Sequence, residues 1–146
     1  MGQKTHLDVV IVDEDELHLR QLCRTISTAG YRVHGARDAL AVCPLVAFQQ
    51  PCLAVIDLDI SLDVSGKDAL WLAHRFTSVN PCLQVLFTAW EPEKLARAKR
   101  SSVPSLGLLL KPLDHSDILP IVTAVTMRQP HGVHLSMEPQ RCVKVA

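Results

Sequence analysis

The sequence lacks several features that would point to particular classes of protein. No run approaches the roughly 18 apolar residues that a membrane-spanning helix needs, and the opening stretch MGQKTHLDVVIVDED has neither the apolar centre nor the cleavage site of a signal peptide. Lysine plus arginine equals aspartate plus glutamate at 15 each, so no bulk positive field would attract nucleic acid. We therefore expect a cytoplasmic protein that neither enters a membrane nor binds nucleic acid directly.

The cysteines also lack the spacing of a metal site or a redox motif. The sequence contains no C-x-x-C pair, and no cysteine lies a few residues from a histidine in a zinc-ligand pattern. The five residues are Cys23, Cys43, Cys52, Cys82 and Cys142. We expect reduced and mostly buried thiols.

The 146 residues, 48% of them hydrophobic, suffice for one core but not comfortably for two domains. Short apolar runs occur at VVIV, LAVI, LQVLF and LGLLL, and YRVHGA is a weaker candidate. Continuous hydrophobicity is typical of strands covered on both faces. Helical spacing of apolar residues between the runs predicts strict alternation of strand and helix, and therefore an α/β protein with a doubly wound, five-stranded parallel sheet.

Two helices and the chain end have weaker patterns. Pro44 interrupts the second helix, which should be kinked or start late, and the charged fourth helix should begin after Trp90 with Pro92 in its first turn. We place one domain at residues 5–128 and a flexible or partly extended tail at residues 129–146, with a short extended piece at VHLSM. These few residues are too short for a DNA-binding output domain, so we expect a single-domain protein or an excised one.

Polar residues follow four of the five predicted strands, at the edge where a doubly wound sheet places its site. They are Asp13, Glu14 and Asp15 after the first strand, Asp57 after the third, Thr88 after the fourth and Lys111 after the fifth. Clustered carboxylates repel one another and favour a hard cation with oxygen ligands, usually Mg²⁺. A lysine and a threonine opposite that metal would complement a phosphoryl group, with Asp57 as its nucleophile.

Each of these residues has an ordinary alternative role. An acidic residue after a strand is most often the N-cap of the next helix, and a single threonine or lysine is usually a turn or surface residue. The inference rests on their joint occurrence at four strand ends.

The segments VVIVDED, AVIDLD, VLFTA and LLLKP resemble, in that order, the signature segments of the receiver domains of two-component response regulators. The resemblance covers roughly residues 6–128 and implies the flavodoxin-like (CheY-like) fold with strand order 2-1-3-4-5. It implies that a histidine kinase or a small phosphodonor phosphorylates the chain, which catalyses only its own phosphorylation and dephosphorylation. The fourth helix, fifth strand and fifth helix would form the surface for a downstream protein or a homodimer.

Individual roles follow from the same resemblance. Asp57 would be the phosphoacceptor, and Thr88 the hydroxyl that bonds the phosphoryl group. Lys111 would be the cationic partner, preceding a cis bond to Pro112. Mg²⁺ would be held by the acidic residues of the first and third strands: Asp13, Glu14, Asp57 and the backbone carbonyl of Asp59.

The sequence departs from that family at three places. Glu14 stands where aspartate is commoner. Ser61 replaces a usual proline in the loop after the third strand, and Gly66 comes one residue later than usual. Leu108 occupies the position of an aromatic switch residue, so any switching must rely on packing rather than on an aromatic hydroxyl.

Two other interpretations of the function remain open. A binding module with this fold that is never phosphorylated would be expected to lose an acidic, threonine or lysine position, and none is lost. Asp57 and Asp59 also resemble the D-x-D motif of haloacid-dehalogenase-type phosphatases, but that family carries its nucleophile on the first strand of its core and a further acidic pair beyond the lysine. Here only Asp114 and Asp117 follow Lys111.

The sequence makes two further predictions. Cys52 and Cys82 occupy matching positions in PCLAVID and PCLQVLF, so we expect their thiols to lie close together on neighbouring strands. Trp90, two residues beyond Thr88, should lie over the site and exclude water, whereas Asp59 could either orient a water or repel an anionic donor. The phosphorylated form should therefore be long-lived.

Overall fold

The computed structural model describes residues 7–62 and 66–127, which alternate strictly between strand and helix. The strands are β1 (Asp8–Val12), β2 (Arg32–Ala36), β3 (Leu53–Asp57), β4 (Gln84–Ala89) and β5 (Gly107–Leu110). The helices are α1 (Glu16–Thr28), α2 (Cys43–Gln49), α3 (Ala69–Val79), α4 (Pro92–Arg100) and α5 (His115–Met127). A 3₁₀ turn at Ala39–Val42 leads into α2.

All five strands are parallel and lie in the order β2-β1-β3-β4-β5, which confirms the predicted sheet. Every residue of β1 and β3 is buried, because alternate side chains enter two separate apolar layers. Val9 and Ile11 pack with α1 and α5, whereas Val10 and Val12 pack with α2 and α3. The core is thus divided by the sheet, and the ends of the central strands are enclosed from both sides.

Local sequence signals explain where most helices begin. Asp15 caps α1 by accepting a hydrogen bond from the His18 amide, and Asp68 caps α3 in the same way from Trp71. The 3₁₀ turn places Pro44 in the first turn of α2, which confirms the predicted late start. α4 begins at Pro92, also as predicted. Pro120 lies inside α5, which continues through it to Met127.

The prediction that Cys52 and Cys82 occupy matching positions on neighbouring strands is wrong, because β3 and β4 pair in a different register. Leu53 pairs with Gln84, not with Leu83 as the two matching motifs suggest. Cys52 is buried, Cys82 is exposed, and both are free thiols. The repeated PCL segments therefore do not align across β3 and β4, because the register is set by the packing of the strands.

The proposed tail at residues 129–146, including VHLSM and Cys142, lies outside the described residues. Among the helices that the structure describes, none combines the length and apolarity that crossing a membrane would require.

Candidate functional site

Four polar side chains, each predicted at the end of a different strand, meet at one edge of the sheet. The register aligns Asp57 with Thr88 on neighbouring strands, and the Lys111 amide donates to the carbonyl of Ala89 at 2.8 Å. Asp13, Asp57, Thr88 and Lys111 are at most 6% exposed. Charged residues are rarely buried this deeply unless they are paired or functional.

Lys111 joins the two buried carboxylates. Its Nζ atom donates to Asp13 Oδ1 at 3.0 Å and to Asp57 Oδ2 at 3.2 Å. The peptide bond between Lys111 and Pro112 is cis, as predicted. One ammonium thus neutralises part of the charge of two acids, which leaves a net negative charge at this edge.

Asp13 and Asp57 differ in their proton affinity because their hydrogen bonds differ. Burial raises the pKa of Asp13, but hydrogen bonds from His18, the Asp15 amide and Lys111 outweigh it, so the pKa is lowered overall. Burial raises the pKa of Asp57 to about 6; the Asp59 amide opposes that shift, and the charge of Asp13 adds to it. Asp13 is therefore the firmly ionised member of the pair, and Asp57 is the one that a nearby cation would stabilise most.

The carboxylates of Glu14 and Asp59 have partners outside the buried pair. Glu14 Oε2 accepts a hydrogen bond from the Ser61 amide at 2.5 Å, so it binds the loop that follows β3. Asp59 Oδ1 forms an ion pair with Lys94 of α4. Asp59 is still linked to the site, because its amide donates to Asp57 Oδ1 at 2.9 Å.

Two buried oxygen atoms of the described residues have no hydrogen-bond partner, namely Thr88 Oγ1 and Asp59 Oδ2. Buried polar atoms without partners are uncommon and call for an explanation. A hydroxyl can donate to an oxyanion, and a carboxylate oxygen can accept from a metal-bound water. Both atoms therefore suit a hydrated cation and an anionic group bound at this edge.

Trp90 lies beside the buried lysine. Lys111 Nζ is 5.0 Å from the centroid of the Trp90 ring, within the range of a cation–π contact. The side chain remains 47% exposed. It is thus placed between the site and solvent.

His18 is a member of the site that the sequence analysis missed. It is 3% exposed, and its Nδ1 lies 2.7 Å from Asp13 Oδ2. Its spacing of four residues from Leu22 was the available signal, because it places His18 on the buried face of α1.

A magnesium ion fits the residues present, although not through three converging side chains. Among the described ranges, no group of three His, Cys, Asp or Glu side chains is arranged to hold a metal. Mg²⁺ commonly uses one or two carboxylates and keeps several waters. Asp13 and Asp57 could provide such a pair. The metal-binding roles of all four predicted ligands, namely Asp13, Asp57, Glu14 and the Asp59 carbonyl, remain predictions.

No protein-family model matches the chain, and no curated protein matches it by sequence. Many solved structures match it, and receiver domains recur among them. The receiver domain of an HD domain-containing protein from Pseudomonas fluorescens Pf-5 is 22% identical, with a TM-score of 0.73; the match covers 86% of this chain and 98% of that one.

Two further structures show the same likeness. A CheY-like receiver domain from Methanospirillum hungatei JF-1 is 17% identical with a TM-score of 0.72, covering 88% of this chain and 100% of that one. The chemotaxis response regulator CheY4 of Vibrio cholerae is 22% identical with a TM-score of 0.68, covering 83% and 99%. The chain therefore has the fold of response regulator receiver domains over most of its length.

Proposed function

We propose that this chain is a two-component receiver in which Mg²⁺-dependent phosphorylation of Asp57 switches a protein-interaction surface. The observation that carries the proposal is the buried group formed by Asp13, Asp57 and Lys111, next to the unpaired hydroxyl of Thr88. A carboxylate nucleophile, a lysine ammonium and an unbonded hydroxyl donor at one edge of the sheet suit phosphoryl transfer. The likeness of the fold to response regulator receiver domains favours a signalling role for this chemistry.

In the proposed reaction, a carboxylate oxygen of Asp57 attacks the phosphorus of the donor. A P–O bond to Asp57 forms while the bond from phosphorus to the donor's histidine nitrogen or acyl oxygen breaks, and the donor leaves with that electron pair. Lys111 and the Thr88 hydroxyl would stabilise the equatorial oxygens. Mg²⁺, when bound, would neutralise negative charge on the phosphoryl group.

The donor would be a sensor histidine kinase or a small phosphodonor, and we place the exchange in the cytoplasm. The chain would catalyse only its own phosphorylation and dephosphorylation. Beyond the kinase, we propose no nucleic acid or membrane partner.

The output surface would be formed by α4, β5 and α5, through which a downstream protein or a second copy would bind. Leu110 of β5 is 46% exposed, and the last turn of α4 contains Arg97, Lys99 and Arg100. Leu108 packs against the apolar layer on the α2–α3 side of the sheet. Any switching would therefore operate through packing.

The test is phosphorylation by acetyl phosphate with Mg²⁺, followed as the added mass of one phosphoryl group. We expect modification of the wild type and of Asp38→Asn, because asparagine retains the capping role of Asp38 before the 3₁₀ turn. Asp57→Asn should remain unmodified. Modification of Asp57→Asn at the wild-type rate would refute the assignment.

The same assay separates the two alternatives. A wild type that folds but takes up no phosphoryl group would indicate a non-phosphorylated binding module. Repeated hydrolysis of an unrelated phosphate ester would instead indicate a phosphatase of the haloacid-dehalogenase type.

A further inference from the structure

His18 connects three segments that meet at the site. It belongs to α1, it contacts Asp13 beyond β1, and its Nε2 lies 3.1 Å from the Leu113 amide in the loop after β5. Its ring centroid is 6.2 Å from that of Trp90, beyond β4.

The two hydrogen bonds determine where the ring carries its proton. The backbone N–H of Leu113 can only donate, so Nε2 of His18 must accept. The proton then lies on Nδ1, which donates to Asp13 Oδ2 at 2.7 Å. Both ring nitrogens are thus satisfied, as the burial of an imidazole requires.

The contact with Asp13 leaves the carboxylate oriented and still able to bind a cation. Asp13 Oδ1 already accepts from Lys111 at 3.0 Å and from the Asp15 amide at 2.9 Å. Oδ2 accepts from His18, and this bond uses one of its two lone pairs. Partners of this kind, outside the ligands themselves, commonly orient metal-binding carboxylates.

The hydrogen bond with the Leu113 amide acts on the segment that contains Lys111. Leu113 is buried and follows Lys111 by two residues. By accepting from its amide, His18 fixes the start of the loop against α1 and thereby helps fix the lysine. An apolar side chain at this position could fill the space but could make neither hydrogen bond.

We infer that His18 is a positioning residue that orients Asp13 toward a divalent cation through Nδ1 and holds the Lys111 loop through Nε2. This inference rests on the proposed function of the site. It adds a residue that touches neither the phosphoryl group nor the metal and acts through groups that do.

Three substitutions separate the two bonds. His18→Leu removes both. His18→Asn can keep a donor near the Nδ1 position, and His18→Gln can keep an acceptor near the Nε2 position. Each variant is examined by Mg²⁺ calorimetry, by hydrogen exchange of the Leu113 amide and by thermal unfolding.

We expect His18→Leu and His18→Gln to bind Mg²⁺ on the order of ten-fold more weakly than the wild type, as is usual when such an outer partner is lost. His18→Asn should recover most of the affinity. The Leu113 amide should exchange slowly in the wild type and in His18→Gln, and faster in the other two. If His18 had a purely structural role, His18→Asn and His18→Gln would not rank in opposite orders for Mg²⁺ affinity and for protection of the Leu113 amide.

Equal Mg²⁺ affinity in the wild type, His18→Gln and His18→Asn would overturn the inference, and so would losses that simply follow the fall in unfolding temperature. If His18→Leu does not fold, the comparison of His18→Asn with His18→Gln still tests the inference. A wild type that binds Mg²⁺ but is never phosphorylated would refute the proposed function alone, because the affinities would still test His18. A wild type that binds no Mg²⁺ would overturn both.

Discussion

Removing the charge of Asp57 should stabilise the metal-free protein, and the gain should depend on pH. Burial raises the pKa of this carboxyl from 3.8 to about 6. A raised pKa means that the folded state holds a proton that the unfolded state has already released. Folding stability therefore falls as the pH rises from about 4 to about 6, and the loss persists above that range.

The magnitude follows from the size of the shift. A rise of the pKa from 3.8 to about 6 corresponds to a cost of about 3 kcal/mol at pH 7. The side chain is 2% exposed, so solvent screens little of this cost. Relaxation around the ionised group would reduce the cost, which makes this an upper value.

The assay compares urea unfolding of the wild type and Asp57→Asn, in the presence of a chelator, near pH 4 and pH 7.5. Asparagine can still accept from the Asp59 amide, although it loses the ion pair with Lys111. Taking the difference between the two pH values removes such pH-independent effects. We expect the variant to gain about 2–3 kcal/mol relative to the wild type between the two conditions.

Millimolar Mg²⁺ should reduce that gain, because a cation stabilises the ionised Asp57. A stability difference between the two proteins that stays constant from pH 4 to pH 7.5 would refute the reasoning. It would mean that Asp57 is no harder to ionise in the folded protein than in the unfolded chain.

Two other predictions concern the surroundings of the site, and a third concerns the packing of β2 against α1. Trp90→Ala should accelerate decay of the phosphorylated protein by admitting water, and unchanged or slower decay would remove the shielding argument. Lys94→Gln should slow phosphorylation by acetyl phosphate because Asp59 loses its counter-charge, and the effect should shrink at high salt; a salt-independent rate would contradict it. Gly35→Ala should cost about 1–3 kcal/mol of unfolding free energy, because its Cβ would lie 2.6 Å from Cys23 Sγ. In a double-mutant cycle, Cys23→Ala should relieve part of that cost, whereas additive losses would locate the strain elsewhere.

The sequence by itself determined the sheet and the identity of the residues at its edge. Short continuous apolar runs are typical of strands covered on both faces, and their alternation with helical spacing leaves few arrangements. Because parallel strands all end at one edge, the sequence alone predicted that Asp13, Asp57, Thr88 and Lys111 lie together. The likeness to known receiver structures confirms that fold.

Only the tertiary structure decided how these side chains are directed and paired. Glu14 binds the Ser61 amide, and Cys52 is out of register with Cys82; both depend on strand and loop packing over long sequence separations. The clearest case is His18, whose partner Leu113 is 95 residues away. A histidine on a helix face gives no sign of such a partner, because the bond exists only once α1 has packed beside α5 and the loop that precedes it.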